Sequence, residues 1–244
     1  TRYFWRVYVL STPAMLSVHP QLVSQANKMS QNAQWFFDFV SPFSYLQFKA
    51  LDRLPDSLEL TLTPVLFAGL LAHWGQKGPA EIFPKRSDTY RYCHWYARNS
   101  GIPFQMPPAH PFNPLPFLRL AVALDCEPAI VKVIFDYIWA KGKPAHTVEG
   151  FLDLTSDLGI DDPELLISNT GAKDILRRNT DNAIAAGIYG VPTILINQER
   201  FWGLDQSQMM LDYLEHPQLM EAPEMKRLTD LPQGAIRQSP PTKQ

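Results

Sequence analysis

The alternation of apolar and polar positions predicts a β-α-β unit near the start of the chain. Gln34–Val40 is an aromatic and apolar run that ends in a turn signal, which is typical of a buried strand. Apolar residues at helical spacing predict a helix that begins at Ser41, continues through Leu54 and stops at Pro55. Strict alternation over Leu58–Thr63 predicts a second strand, which a right-handed crossover would place beside the first.

The middle of the chain carries helical patterns. They span Val65–Trp74, Lys85–Asn99, Leu115–Leu124, Ala129–Lys141, Val148–Leu158 and Lys173–Ala186, with a short helix beginning near Asp161. The proline-dense stretch Pro103–Pro116 has too few backbone donors for a strand or a helix. We therefore expect a block of helices in this part of the chain.

The end of the chain returns to β character. Gly190–Asn197 is predicted to be a strand with a proline near its start, and Phe201–Gly203 a short partner strand after a turn. A last amphipathic helix is predicted to open at Leu204 and Asp205. After His216 the pattern is interrupted by prolines.

This order of elements predicts an α/β, thioredoxin-like fold with a large all-helical insertion, because neither end of the chain can close a core alone. The thioredoxin-like domain is discontinuous, formed by residues 33–75 and 188–220, and the helical insertion covers 76–187. Residues 221–244 are predicted to be a C-terminal tail. Residues 1–32 are predicted to be an N-terminal extension, either without catalytic role or an ordered arm used in packing.

Composition narrows the classes of function. Of the 244 residues, 45% are hydrophobic and 19% are charged, which is enough to bury a full core, and the net charge is -2. The absence of a basic surplus argues against nucleic acid or an anionic membrane as a partner. Apolar runs in the sequence stay well short of the roughly 20 residues that cross a bilayer.

The two cysteines, Cys93 and Cys126, lie far apart in segments with helical patterning. The sequence has no C-x-x-C pair and no cluster at zinc spacing, so neither a dithiol site nor a metal site is predicted. Two lone, partly buried thiols fit a reducing compartment, which favours a cytoplasmic location.

Candidate chemistry begins at Ser41–Ser44, with the sequence Ser-Pro-Phe-Ser. Ser41 is predicted to be the N-cap of the first helix, with Pro42 at its first position. A helix N-terminus offers free N–H groups and about half a positive charge, which stabilise a thiolate. Ser41 stands where a redox-active thioredoxin fold carries cysteine. Its hydroxyl is either a cap alone or a hydrogen-bond donor to the thiolate of a bound ligand.

Two further motifs lie beside the last strands. Pro192 heads a strand and removes a ladder donor, as the cis proline that faces the active helix does in thioredoxin folds. The residue before it, Val191, would offer its backbone groups to an extended peptide. Asp205, which follows Trp202 and Gly203, is either a helix N-cap or the partner of an α-amino group, as a γ-glutamyl ligand would require.

Together these motifs resemble the 2-hydroxychromene-2-carboxylate isomerase family, which is related to kappa-class glutathione transferases within the DsbA-like thioredoxin superfamily. The resemblance rests on Phe37–Leu46, Gly190–Thr193 and Trp202–Asp205, and it covers residues 33–219. It implies glutathione as the cofactor, a small aromatic substrate and a homodimer.

The resemblance also implies which residues form the site. The glutathione site would consist of Ser41, Val191, Pro192, Gly203, Leu204 and Asp205. In the family pattern, catalytic Ser41 lies beside the sulfur, Val191 binds the cysteinyl backbone and Asp205 holds the γ-glutamyl group. Leu204 stands where kappa-class relatives have a serine, so one side-chain contact is missing.

Residues for the substrate are carried over in the same way. Those expected to face it are Gln76, Lys85 and His110, with Lys77, Arg86 and Tyr90 as neighbouring alternatives. Tyr92, Trp95 and Tyr96 lie at helical spacing, and they either wall an aromatic pocket or pack in the core.

The leading hypothesis is a glutathione-dependent cis-trans isomerase of the 2-hydroxychromene-2-carboxylate type, acting in the degradation of aromatic compounds. The alternative is a kappa-like glutathione transferase or peroxidase that acts on small electrophiles. The missing C-x-x-C argues against a protein-disulfide oxidoreductase. A binding module without catalytic activity is the fourth hypothesis.

Overall fold

In the computed structural model, which describes residues 31–235, a four-stranded mixed sheet carries the fold. Its strands are β1 (Gln31–Phe37), β2 (Leu58–Pro64), β3 (Thr193–Ile196) and β4 (Glu199–Trp202). They lie in the order β2-β1-β3-β4, with β2 parallel to β1 and antiparallel pairing between β1 and β3 and between β3 and β4. The two central strands therefore come from opposite ends of the described chain.

Ten α-helices complete the described part of the fold. They are α1 (Pro42–Phe48), α2 (Phe67–Trp74), α3 (Phe83–Asn99), α4 (Leu115–Ala123), α5 (Pro128–Phe135), α6 (Val148–Asp157), α7 (Pro163–Ser168), α8 (Thr170–Ala185), α9 (Ser207–Glu215) and α10 (Pro223–Thr229). A π-helical turn, Asp136–Ala140, continues α5, and 3₁₀ turns form at Leu51–Arg53, Pro79–Glu81 and Pro217–Glu221. Within residues 31–235, no helix combines the length and the apolar character needed to cross a membrane.

This architecture confirms the predicted thioredoxin-like fold with helices inserted between β2 and β3. Strand β1 begins and ends three residues earlier than predicted, and α5 ends at Phe135 where the predicted helix continued to Lys141. Two further differences bear on the site. The first concerns α1, which was expected to continue to Leu54 but ends at Phe48. The N–H of Ala50 bonds to the carbonyl of Gln47, three residues back, which tightens the last turn, and Leu51–Arg53 continues as a 3₁₀ turn. The apolar spacing persists through this change because Leu51 and Leu54 still pack against the core.

The second correction concerns Asp205, which was expected at the start of the last helix. Helix α9 begins at Ser207, and the residue before it is Gln206. The side chain of Gln206 accepts a hydrogen bond from the N–H of Trp202, which closes the loop between β4 and α9. Asp205 therefore lies in this loop and does not cap the helix, which leaves its carboxylate available for another partner.

The predicted N-terminal extension lies mostly outside the described residues. Of residues 1–32, the structure describes Gln31 and Asn32, and both belong to β1. The domain boundaries at residues 75 and 188 stay predictions. In the predicted tail, Pro223–Thr229 forms helix α10.

The core is continuous between the sheet and the inserted helices. Trp35, Phe37 and Phe39 are fully buried, and the rings of Phe37 and Phe39 contact Phe135 of α5 at centroid distances of 5.7 Å and 4.7 Å. The indole N–H of Trp139 donates to the carbonyl of Phe39 at 2.9 Å. Each buried aromatic side chain stabilises the fold by roughly 1.5–3 kcal/mol. The inserted helices thus hold the segment that follows β1.

Candidate active site

The three predicted motifs meet at one end of the sheet because of the strand register. Phe36, near the end of β1, pairs with Thr193 at the start of β3, and Thr193 pairs with Trp202 at the end of β4. The segments that follow β1, precede β3 and follow β4 therefore lie at the same end of the sheet. These segments carry the Ser41, Pro192 and Gly203 motifs.

Ser41 is the N-cap of α1, as predicted. Its backbone is extended, Pro42 takes the first helical position, and its Oγ accepts a hydrogen bond from the N–H of Ser44 at 3.2 Å. The cap uses a lone pair of Oγ, so the hydroxyl proton is free to be donated. Ser41 and Ser44 are both buried, and the Oγ of Ser44 has no hydrogen-bond partner among the described residues.

Val191 and Pro192 form the second wall of the site. The peptide bond between them is cis, in line with the prediction. The carbonyl of Pro192 accepts a hydrogen bond from the N–H of Gly203 at 2.8 Å, whereas no hydrogen bond from the described residues reaches the backbone of Val191. The backbone groups of Val191 can therefore pair with an extended peptide, as strand addition requires.

The loop between β4 and α9 folds against this wall. Trp202 lies so close to Gly190 that a Cβ on that glycine would be 2.5 Å from the indole nitrogen. Gly203 has a φ of 83°, a conformation that favours glycine, and a Cβ there would be 2.5 Å from Oδ1 of Asp205. The carboxylate of Asp205 thus lies beside Gly203 while remaining exposed, and Leu204 is buried.

A cavity of about 250 Å³ opens beside this loop, near the C-terminal end of α1. Its lining includes Gln47, Arg53, Leu204, Asp205 and Ser207. Arg53 and Asp205 supply charges of opposite sign. A zwitterionic group, such as the free end of a γ-glutamyl ligand, matches this pair of charges. Ser41, at the other end of α1, does not line the cavity.

His110 is held by two hydrogen bonds within the protein. Its Nε2 lies 2.7 Å from the carbonyl of Val40, and its Nδ1 lies 2.6 Å from the hydroxyl of Tyr90. Because a carbonyl only accepts, Nε2 carries the proton and Nδ1 accepts from Tyr90. Burial lowers the pKa of His110, and the positive charge of Arg86 lowers it further. A neutral His110 thus fixes the residue just before Ser41, and its role toward a substrate stays a prediction.

The other two residues predicted to face the substrate make no direct polar contact with the three motifs among the described residues. Gln76 and Lys85 are exposed, and no hydrogen bond or ion pair among the described residues connects their side chains to the motifs. Arg86 is half-buried and acts electrostatically on both Tyr90 and His110. The placement favours Arg86, which the sequence offered as an alternative, over Lys85, because its charge acts on His110, which bonds the carbonyl of Val40 just before Ser41.

Asp38 is a buried carboxyl that the sequence did not single out. It lies immediately after β1, and its two oxygens accept hydrogen bonds from the N–H groups of Val40 at 3.0 Å and Phe67 at 2.8 Å. Burial raises the pKa of Asp38 to about 7, although these two hydrogen bonds oppose the rise. The sequence feature that could have indicated Asp38 is its position as a single acidic residue within the aromatic run Trp35–Phe39.

The aromatic residues of α3 are divided between two environments. Tyr92 and Trp95 are 44% and 57% exposed, so the prediction that they pack in the core is wrong. Tyr96 is half-buried. The ring of Tyr92 lies 6.1 Å from the ring of Phe43 in the Ser-Pro-Phe-Ser motif. These rings form an apolar surface beside the start of α1.

The described residues hold neither a disulfide nor a group of three side chains that could bind a metal ion. Cys126 is half-buried, as predicted, whereas Cys93 is fully buried. Burial raises the pKa of the Cys93 thiol to about 12 and that of Cys126 to about 11. Neither thiol is therefore a nucleophile near neutral pH.

Comparison with known proteins agrees with this geometry. The family model of the DSBA-like thioredoxin domain matches residues 34–215. Glutathione S-transferase kappa 2 of Caenorhabditis elegans is 27% identical over 206 residues, which cover 75% of this chain and 92% of that protein. The 2-hydroxychromene-2-carboxylate isomerase of Pseudomonas putida is 28% identical over 188 residues, which cover 72% of this chain and 90% of that protein.

Among solved structures, one of a 2-hydroxychromene-2-carboxylate isomerase aligns with a TM-score of 0.65 and 23% identity. The alignment covers 78% of this chain and 97% of that one, which shows a shared fold. The curated relatives are thus isomerases and glutathione transferases. Because the family model spans most of the described residues, the chain belongs to the DSBA-like thioredoxin family.

Proposed function

We propose that the protein is a glutathione-dependent cis-trans isomerase of the 2-hydroxychromene-2-carboxylate type. The observation that carries the proposal is that Oγ of Ser41 caps α1 as an acceptor, at the end of the sheet where no hydrogen bond from the described residues reaches the backbone of Val191. The identity of 28% to a curated isomerase over 72% of the chain supports the reaction type.

The residues present fit glutathione. Val191 can pair with the cysteinyl backbone, and the exposed carboxylate of Asp205 can bind the α-ammonium group. When bound, glutathione supplies a thiolate that adds reversibly to a conjugated carbon, so that a former double bond can rotate before the thiolate leaves.

Ser41 and the start of α1 keep the bound sulfur ionised. The hydroxyl of Ser41 donates to it, and the N–H of Phe43, the one donor of the first turn without a partner among the described residues, adds a partial positive charge. A carboxylate on a small aromatic substrate would be held by Lys85 or Arg86. Gln76 and His110 would also face the substrate, as the resemblance implies. The apolar surface formed by Phe43 and Tyr92 suits an aromatic ring.

Replacement of Ser41 by alanine tests the proposal. Ser41→Ala should lose most of the turnover of a chromene carboxylate and still bind glutathione, because Val191 and Asp205 remain. Calorimetry and an isomerisation assay measure the two effects. Thr147→Ala is the matched control, since Thr147 caps α6 by accepting from the N–H of Gly150 at 3.0 Å. Both variants lose a cap worth about 1 kcal/mol, and Ser41→Ala alone should lose activity. Full activity of Ser41→Ala would contradict the proposal.

A second candidate is a kappa-like glutathione transferase or peroxidase, favoured by the 27% identity to a curated kappa transferase over 75% of the chain. It would use the same glutathione site. Conjugation of glutathione to a chloro-nitroaromatic compound, without isomerisation of a chromene carboxylate, would favour it. Failure to bind glutathione would contradict both candidates.

A further inference from the structure

Gln47 lies on the buried face of α1, where an apolar residue would be expected. Its side chain is 3% exposed and makes three hydrogen bonds. Its Oε1 accepts from the indole N–H of Trp35 at 2.7 Å, and its Nε2 donates to the carbonyl of Gly203 at 3.0 Å and to Oγ of Ser207 at 3.1 Å. A buried amide with its bonds formed is held in one orientation.

The chemistry of the partners fixes that orientation. The indole of Trp35 can only donate, so the amide oxygen of Gln47 must face it. The carbonyl of Gly203 can only accept, so it must face the amide nitrogen. If the amide were flipped, its NH₂ group would face the N–H of Trp35, and its oxygen would face the carbonyl of Gly203. Gln47 therefore connects the core strand β1 to the loop that precedes α9.

This loop is held from two sides at one residue. The N–H of Gly203 donates to the carbonyl of Pro192, and its carbonyl accepts from Gln47. The carboxylate of Asp205 lies against Gly203, close enough that a Cβ there would be 2.5 Å from Oδ1. The position of this carboxylate is thus tied through Gly203 to α1, whose first residue follows Ser41.

We propose that Gln47 is a positioning residue that fixes Asp205 at the distance from Ser41 at which one glutathione molecule meets both. Gln47 is six positions after Ser41 in the chain, about 9 Å along a helix axis. An exposed carboxylate contributes little to binding unless the loop that carries it is already ordered. Gln47 provides that order from inside the core. This inference rests on the proposed binding of glutathione.

A double-mutant cycle tests the inference. Gln47→Met keeps the volume of the side chain and removes its hydrogen bonds, and it should raise the Kd for glutathione about five- to tenfold. Asp205→Asn should raise the Kd by a similar factor. The double variant should bind no more weakly than the weaker single variant, because Gln47 acts through Asp205. Calorimetry of the full chain measures all four values.

Two further variants separate positioning from general destabilisation. Leu154→Ala removes a fully buried side chain of α6, far from the loop in the chain, and should lower the melting temperature without changing the Kd. Gln47→Glu keeps an acceptor for Trp35 but opposes an oxygen to the carbonyl of Gly203, and it should weaken binding even if Gln47→Met does not fold. The role of Gln47 would be overturned if the Kd factors of the two single variants multiply in the double variant. It would also be overturned if Leu154→Ala raises the Kd as much as Gln47→Met does. Absence of glutathione binding by the unchanged protein would instead overturn the proposed function and this inference with it.

Discussion

At the scale of single residues, the end of β1 is surrounded by buried polar groups that each satisfy the backbone. Asp38 accepts from the N–H groups of Val40 and Phe67, and His110 donates to the carbonyl of Val40. The turn that follows a strand leaves backbone groups outside regular structure, and side chains satisfy them here. This is why polar residues occur inside an otherwise aromatic core.

The raised pKa of Asp38 predicts a pH dependence of stability. The folded protein holds a proton on Asp38 up to about pH 7, whereas the unfolded chain releases it near 3.8. The stabilisation that protonated Asp38 provides is therefore complete below about pH 3.8, and it is lost as the pH rises through about 7. Between about pH 5 and about pH 8, the wild type should lose roughly 2–3 kcal/mol of unfolding free energy more than Asp38→Asn.

Urea unfolding of the two proteins at both pH values measures this difference. Because Asn cannot titrate, the change in Asp38→Asn between the two pH values reports all the other titrating groups. It is the baseline from which the change in the wild type is measured. An equal change in both proteins would show that Asp38 does not titrate in this range.

The sequence predicted Ser41, Pro192 and Asp205 because each interrupts a local pattern: a cap, a proline at a strand head and an acid after a strand. Gln47 and Asp38 were missed because each lies within a periodic apolar segment and its partners are distant in the chain. The Gly203 carbonyl that Gln47 binds is 156 positions away. Spacing along one element cannot reveal such a partner.

At the scale of elements, the start and end of each helix depend on tertiary contacts that cannot be predicted from helix propensity. The 3.6-residue pattern correctly located the helices of the insertion, but it did not distinguish an α-helix from the 3₁₀ turn that follows α1. Both arrangements keep Leu51 and Leu54 against the core. Helix α6 shows the same dependence on contacts, through Gly150 in its first turn.

Gly150→Ala should destabilise the protein, against the usual preference of helices for alanine. Alanine is favoured over glycine by about 1 kcal/mol within a helix. At Gly150, however, the added Cβ would be 2.0 Å from the carbonyl oxygen of Pro144. That carbonyl also accepts from the N–H and hydroxyl of Thr147, so it is held in place. We expect a loss of about 1–3 kcal/mol in chemical denaturation.

Ser156→Ala is the matched variant, because Ser156 is an exposed residue of the same helix. It gains helix propensity without a new contact and should be neutral or slightly stabilising. A stabilising Gly150→Ala would show that the loop before α6 can move away at little cost.

At the scale of the whole molecule, the inserted helices and the sheet share one core. The buried cluster that contains Trp35 and Ile196 of the sheet also contains Leu154 of α6. Sequence patterns located the insertion because strands stop at residue 64 and resume at 193. They could not show that Phe135 packs against β1, since the pattern of α5 gives the buried face but not its partner.

The shared core predicts a single cooperative unfolding transition. Leu154→Ala in the insertion and Ile196→Ala in β3 should each lower the unfolding free energy by about 2–5 kcal/mol. Tryptophan fluorescence and far-ultraviolet circular dichroism should follow the same curve in both variants. Two resolved transitions, with Leu154→Ala shifting one of them, would show that residues 76–187 unfold as a separate domain.

The position of β1 between β2 and β3 has a consequence for synthesis of the chain. One edge of β1 pairs with β2, which emerges from the ribosome soon after it, whereas the other edge waits for Thr193–Ile196. Until then a nascent chain carries an aromatic strand with unpaired backbone groups on that edge. Ser41 is made early, but neither Val191 nor Asp205 yet exists beside it. A ligand that contacts all three residues could therefore stabilise only chains in which β3 and β4 have already joined the sheet.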